Sequence, residues 1–109
     1  MTNVKDDRYY AGKLLESLQL VVRYMDGVTE AAFSADEVLQ DAMVFRLIQI
    51  SENARKLTDS FKAGYPQIPW GDVYGLRNRI VHDYGNVDLH TVYETLAYDI
   101  PELLQSLEK

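Results

Sequence analysis

The stretch Leu76–Asn86, LRNRIVHDYGN, decides how the rest of this chain is interpreted. Apolar side chains recur every three or four residues through it, as on the buried face of an α-helix: Val73, Leu76, Ile80 and Tyr84. Gly85 and Asn86 follow, and both residue types commonly end a helix. We therefore predict that the stretch is the C-terminal half of a helix that ends after Tyr84.

The same stretch carries side chains whose chemistry suits phosphate. Arg77 presents a planar, permanently charged guanidinium that can hold phosphate oxygens. His82 changes protonation near neutral pH, and Asn78 lies one turn below it if both are on one helix. Metal-free RNA cleavage needs a base for the ribose 2′-OH and a cation for the charged phosphorane. Spacing alone does not distinguish such a site from an ordinary helix C-terminus, at which cations interact favourably with the helix dipole.

Length and composition predict a single domain, residues 1–109, with no room for a second. The chain has no cysteine, which excludes a disulfide framework and a thiolate metal site. No apolar run reaches membrane-spanning length and no signal core is visible, so we expect a cytoplasmic protein with no membrane partner. The net charge of −6 argues against general nucleic-acid binding unless a few cations are concentrated in one cleft.

Helical periodicity predicts an all-α fold, an up-and-down bundle of four main helices. The first helix is capped by Asp6 or Asp7 and ends before Gly27. The second follows a loop over 27–33 and begins at Ser34, where a Ser-x-x-Glu pattern marks a capping box. Its apolar positions extend to Phe61.

The remaining two helices occupy the last third of the chain. A loop over Lys62–Pro69 precedes the third helix, which opens at Pro69 or Trp70. Trp70 either packs this loop onto the bundle or offers a surface for base stacking. Asp88 caps the fourth helix, whose apolar positions stay in phase across Pro101. Pro101 should therefore kink or restart that helix without turning the chain.

Arg77, Asn78 and His82 match the Arg-polar-x3-His signature of the HEPN superfamily. The run RNRIVHDYGNVD around them resembles HepT-type toxins in particular. The similarity extends, in the order of that family, over three further stretches: Phe45–Leu57, Gly64–Asn78 and Asp88–Leu104. The resemblance implies a HEPN-like bundle that forms a homodimer or higher assembly, in which two sets of these residues meet across a shared cleft.

The resemblance also implies an activity and a partner. The chain looks like an endoribonuclease toxin of a type VII-like toxin–antitoxin pair, with RNA as substrate and with no metal or cofactor. In that family's terms Arg77 would stabilise the phosphorane, His82 would transfer the proton, and Asn78 would orient the imidazole or the phosphate. A MntA-like nucleotidyltransferase antitoxin would neutralise the enzyme by adding AMP to Tyr84. For this tyrosine, packing at a helix end is the alternative.

Three further polar residues are candidates to support the Arg77/His82 cleft: Arg46, Glu52 and Arg79. A solvated helix face or a surface ion pair is the alternative for each. His90 lacks ligand-spaced partners and is interpreted as a surface helix residue. A second functional hypothesis is a non-catalytic helical dimer that binds a nucleotidyltransferase or a nucleotide. The intact Arg-x4-His signature favours catalysis, whereas the acidic composition favours binding.

Overall fold

The computed structural model describes residues 5–82 and 86–109, with the side chains of 81, 82 and 86 excepted. These residues are mostly helical, and the all-α class is confirmed. In chain order the elements are α1 (Asp7–Met25), α2 (Glu30–Ser34), α3 (Glu37–Arg55), α4 (Asp59–Ala63), α5 (Trp70–Tyr74), α6 (Leu76–Ile80), β1 (Val81–His82), β2 (Asn86–Val87), α7 (Leu89–Glu94), a π-helical turn (Thr95–Asp99) and α8 (Ile100–Glu108).

Helix α1 has the predicted limits. The Asp6 carboxylate accepts a hydrogen bond of 3.2 Å from the main-chain N–H of Tyr9, which confirms the predicted N-cap. The helix ends at Met25, and Gly27 follows with φ 73°. Only glycine adopts this left-handed conformation at little cost, so Gly27 ends the helix as predicted.

The second predicted helix begins later than expected, and the expected loop before it contains a helix of its own. Thr29 caps α2, because its hydroxyl accepts a hydrogen bond of 3.1 Å from Ala32 N–H. Asp36 caps α3 by accepting one of 3.0 Å from Leu39 N–H. The prediction that Ser34 starts the helix was therefore wrong. The Gln40 side chain donates to the last carbonyls of α2, which stabilises the break between the two helices.

The prediction that this helix continues to Phe61 was also wrong, because α3 ends at Arg55 and Thr58 caps the separate helix α4. The cause is a long-range contact. The Asp7 carboxylate on α1 accepts hydrogen bonds from both the main-chain N–H and the hydroxyl of Thr58. Trp70 opens α5 as predicted, and its indole N–H donates to the Tyr65 carbonyl at 3.3 Å. Half-buried Trp70 thus packs the preceding loop onto the bundle.

The C-terminal helical region follows the prediction closely. Asp88 caps α7 by accepting a hydrogen bond of 3.1 Å from Thr91 N–H. Pro101 is the second residue of α8, which directly follows the π-helical turn. Proline has no N–H, and its ring would clash with the Ala97 carbonyl in regular α geometry. The wider turn accommodates the ring, so the helix restarts without a change of direction, as predicted.

The hydrophobic core lies between α1, α3 and the C-terminal helices. Helix α1 contacts both α3 and α8, while α3 also contacts α5 and α6. Its largest fully buried side chains are Phe33, Leu14, Leu18, Met43, Leu47, Ile50, Ile80, Leu96 and Ile100. Burial of one such side chain contributes roughly 1.5–3 kcal/mol to stability. Among the described residues, no helix is long and apolar enough to cross a membrane.

Candidate functional site

The helix that carries the signature residues is shorter than predicted. Helix α6 ends at Ile80, and the chain then becomes extended at Val81–His82. This segment pairs antiparallel with Asn86–Val87, Val81 lying opposite Val87 and His82 opposite Asn86. The ladder explains the early end, because Val81 and His82 pair as a strand and so cannot continue the helix. Val81 is β-branched, which also favours extended backbone. The expectation that Asn78 lies one helical turn below His82 was therefore wrong.

Two of the predicted functional groups lie outside the described part of the chain. Tyr84, the expected AMP acceptor, is outside the described residues, and so is its neighbour Asp83. For His82 the main chain is described and the side chain is not.

Arg77 and Asn78 line a groove of about 280 Å³ between α6 and the C-terminal end of α3. We call it the Arg77 groove; its lining residues are Ser51, Glu52, Arg55, Lys56, Tyr74, Arg77 and Asn78. Ser51 is buried at its base, whereas the charged side chains are exposed at its rim. The groove brings together the C-terminal end of α3 with α5 and α6, which follow it in the chain after α4 and the long loop.

Tyr74 joins the two walls of the groove. Its main-chain carbonyl accepts a hydrogen bond of 2.9 Å from the Ser51 hydroxyl and one of 3.3 Å from Nη2 of Arg55. Its ring centroid lies 5.4 Å from the Arg55 guanidinium carbon and 4.5 Å from Nζ of Lys62, within range of cation–π attraction. These contacts hold the end of α5 against α3. They also fix the position of Tyr74, which lies three residues before Arg77 and two before the start of α6.

The groove is locally basic in an acidic protein. Arg55, Lys56 and Arg77 contribute three positive charges and Glu52 one negative charge, whereas the whole chain carries −6. Arg77 makes no ion pair with any carboxylate that the structure describes. Its guanidinium is therefore available to an anion. A protein with an acidic surface needs such a local concentration of positive charge in order to bind phosphate.

The three candidate supporting residues have different locations. Glu52 lines the Arg77 groove. Arg79 points to the other side of α6, because residues two apart on a helix face roughly opposite directions. There Nη1 of Arg79 is 3.6 Å from Oδ2 of Asp99, at a second groove beside α8. Arg46 lies nearer the start of α3, where Nη1 is 3.5 Å from the Ser17 hydroxyl. Neither arginine lines the groove of Arg77.

His90 is an exposed residue of α7, as its sequence context predicts. Its Nδ1 is 2.7 Å from Oε2 of Glu30, and its Nε2 is 3.8 Å from Oε1 of Glu94. The hydrogen bond and charge of Glu30 raise the pKa of His90 above its ordinary value of 6.5. Because Glu30 belongs to α2, the contact links the two short helices α2 and α7. It is a structural contact on a different part of the surface from Arg77.

Four residues of the Arg77 groove were not predicted from the sequence: Ser51, Arg55, Lys56 and Tyr74. Tyr74 could have been noted, because it lies one turn before Arg77 and Asn78 in the sequence. Arg55 and Lys56 are three and four residues after the candidate Glu52 and so share its side of a helix, but the sequence does not show that this side meets Arg77. Their position beside Arg77 depends on how α3 and α6 pack against each other.

Comparison with known proteins identifies the family. The family model described as "Ribonuclease HepT-like" matches residues 14–109. The chain therefore belongs to the HepT-like family, and the resemblance found in its sequence is confirmed. No solved structure matches the chain.

Curated relatives carry ribonuclease names. A "Gamma-glutamylcyclotransferase and putative RNase" of Methanocaldococcus jannaschii is 33% identical over 105 residues, which are 96% of this chain and 47% of that protein. A "Putative RNase" of Caldanaerobacter subterraneus is 27% identical over 97% of this chain and 95% of its own length. A "Probable ribonuclease HepT" of Thermococcus cleftensis is 28% identical, with 92% and 91% covered. The chain thus spans about half of the first relative and most of the other two.

Proposed function

We propose that this protein is an endoribonuclease that cleaves RNA without a metal ion, at a site formed by Arg77, Asn78 and His82. The observation that carries the proposal is the groove in which Arg77 and Asn78 meet two further cations, Arg55 and Lys56. Phosphate contacts supply most of the affinity for RNA. A protein with a net negative charge therefore needs a basic groove in order to bind RNA. The ribonuclease names of its relatives support RNA as the substrate.

The proposed reaction is an intramolecular transesterification. A base removes the proton of a ribose 2′-OH, and the 2′ oxygen attacks the adjacent phosphorus. The bond from phosphorus to the 5′ oxygen of the next nucleotide breaks, and that oxygen takes up a proton. The products are a 2′,3′-cyclic phosphate and a 5′-OH. His82 performs the proton transfer, Arg77 stabilises the charged phosphorane, and Asn78 orients the imidazole or the phosphate.

A homodimer is part of the proposal. With two Arg77/His82 sets at a shared cleft, the number of cations doubles, and one histidine acts as acid while the other acts as base. Exposed apolar side chains on α3 support a partner surface: Val38 is 80% exposed and Phe45 is 54% exposed. They are seven residues apart and so lie on one face of the helix. The same helix ends in the Arg77 groove.

The proposal also gives the protein a place in a toxin–antitoxin pair. A MntA-like nucleotidyltransferase would neutralise it by transferring AMP from ATP to the Tyr84 hydroxyl, with release of pyrophosphate. Tyr84 is two residues after His82 and seven after Arg77 in the sequence. An added phosphate diester would compete with RNA for the positive charge of Arg77. Its adenosine would also obstruct the approach of the substrate.

The proposal is tested by incubating cellular RNA with the purified protein in EDTA, beside His82→Ala and Arg77→Ala. The protein is first shown by mass to carry no modification on Tyr84. We expect discrete fragments that end in 2′,3′-cyclic phosphate from the wild type alone. If the folded, unmodified protein yields no more cleavage than the two variants, the nuclease proposal fails. A helical dimer that binds a nucleotidyltransferase or a nucleotide then replaces it.

A further inference from the structure

Glu52 is the one acidic side chain among the described residues that line the Arg77 groove. It is exposed, and it makes no ion pair or hydrogen bond with the residues described, although Lys56 lies one turn further along the chain. An ion pair with a described residue therefore does not account for its position. Its carboxylate is available to a ligand in the groove.

A carboxylate at this place restricts what the ligand can present to it. Its negative charge repels phosphate, so RNA held by Arg77, Arg55 and Lys56 must turn another group toward Glu52. An ionised carboxylate only accepts hydrogen bonds. In single-stranded RNA the available donors are the ribose 2′-OH groups, each of which offers one hydrogen, and the exposed Watson–Crick edges of unstacked bases, which can offer two side by side. Glu52 is thus suited to a base edge rather than to the backbone.

Guanine fits a carboxylate better than the other bases. Its N1–H and N2–H lie side by side and point the same way, so the two carboxylate oxygens can accept both hydrogen bonds. Adenine, cytosine and uracil each offer a donor at one position of this edge only. Paired hydrogen bonds with a charged acceptor are shorter and stronger than single neutral ones. The chemistry therefore selects guanine.

The groove also provides a surface for the face of the base. Arg55 is three residues after Glu52, which places both side chains on one side of α3. Its guanidinium is held by the Tyr74 carbonyl at 3.3 Å, so its plane is positioned before a ligand binds. RNA bases stack on arginine planes as well as on aromatic rings. A base on Arg55 would have its edge near Glu52.

We propose that Glu52 recognises a guanine base of the bound RNA, through hydrogen bonds from guanine N1–H and N2–H to its carboxylate. The proposal rests on the proposed function, because it takes RNA as the ligand of the Arg77 groove. It gives that site a base preference. Arg77 and Lys56 contact phosphates in this arrangement and contribute no preference.

The test compares guanine with inosine, which lacks only the 2-amino group. Binding is measured by fluorescence anisotropy with uridine oligonucleotides of about ten residues, fully 2′-O-methylated so that cleavage is blocked, and carrying one guanine or one inosine. We expect the wild type to bind the guanine oligonucleotide about tenfold more tightly, since one lost base contact costs that much. In Glu52→Gln the ratio should fall to about one, because the amide cannot accept both hydrogen bonds.

Glu16→Gln is the matched control, because it removes the same charge from an exposed position on α1. This variant should keep the wild-type ratio. The proposal is overturned if the wild type binds guanine and inosine equally, if Glu52→Gln keeps the preference, or if the wild type binds neither oligonucleotide. The binding assay needs no cleavage. If the protein binds guanine selectively but does not cleave RNA, the proposed function is contradicted and the proposal of guanine recognition stands.

Cleavable versions of the same oligonucleotides separate base recognition from catalysis. For Glu52→Gln we expect kcat/KM to fall on the guanine substrate and to stay near the wild-type value on the inosine substrate. An equal loss on both substrates would indicate a role in proton transfer or in positioning, and it would overturn the proposal.

Discussion

The hydroxyl of Ser51 donates a hydrogen bond of 2.9 Å to the main-chain carbonyl of Tyr74. Ser51 is only 2% exposed, so this bond forms inside the protein and ties α3 to the end of α5. Tyr74 immediately precedes the turn into α6. The bond therefore fixes the distance between α3 and the segment that leads into α6, which carries Arg77.

Ser51→Ala should lower the free energy of unfolding by about 1–2 kcal/mol, because the carbonyl loses a buried donor and keeps only the longer contact with Arg55. Urea unfolding followed by circular dichroism measures this change. Ser60→Ala, at an exposed position of α4, is the control and should change stability by less than about 0.5 kcal/mol. Equal effects of the two substitutions would contradict the role given to the Ser51 bond.

Arg77 and Arg79 form a matched pair, since they are two residues apart on α6 and face different grooves. Arg77→Ala should reduce kcat/KM for RNA cleavage by about 10²–10³, the loss expected for a group that stabilises the transition state. Arg79→Ala removes the same charge and breaks an exposed ion pair with Asp99, which is worth about 1 kcal/mol or less. Its kcat/KM should stay within about fivefold of the wild type. A comparable loss in Arg79→Ala would place the site on both sides of α6.

His90 predicts a pH dependence of stability above neutrality. Its pKa is raised in the folded protein by the hydrogen bond and charge of Glu30, with smaller contributions from Glu94 and Asp88. Because the pKa is raised on folding, protonated His90 stabilises the fold, and this contribution to the free energy of unfolding is fully present below pH 6.5. It is lost as the pH rises through the folded-state pKa. The free energy of unfolding of His90→Gln should therefore depend less on pH above 6.5 than that of the wild type.

An NMR titration of the His90 ring checks the cause directly. The pKa should be above 6.5 in the wild type and should return toward that value in Glu30→Gln. An unchanged pKa in Glu30→Gln would assign the shift to another group.

Asp7 predicts the opposite behaviour in acid. Hydrogen bonds from the hydroxyl and main-chain N–H of Thr58 lower the pKa of its carboxyl below 3.8, and Lys62 adds to the effect. Because the pKa is lowered on folding, the ionised Asp7 carboxylate stabilises the fold above pH 3.8. This contribution is lost as the pH falls through the folded-state pKa. Asp7→Asn should be less stable than the wild type at pH 6, and the difference should shrink below 3.8. Urea unfolding measured across this range tests it; a constant difference would refute the linkage.

Much of the helical framework could be predicted because it depends on neighbours in the sequence. Asp6 and Asp88 are N-caps as predicted, since a cap bonds to an N–H only three residues away. The early ends of α3 and α6 were not predicted, and their causes are a long-range contact in the first case and a short strand pair in the second. The Asp7 carboxylate accepts a hydrogen bond from the main-chain N–H of Thr58, the residue that caps α4. The strand pair after Ile80 ends α6 before the predicted position. Local periodicity contains no information about either contact.

The sequence by itself determined the helical class, the family and the signature residues Arg77, Asn78 and His82, because these depend on spacing and on order along the chain. Only the tertiary structure decided which charges surround Arg77. Glu52 and Arg55 join it, while Arg79, a closer neighbour in the sequence, faces Asp99. The physical reason is that a groove forms between two helices, and its lining is set by how their buried faces pack rather than by distance along the chain.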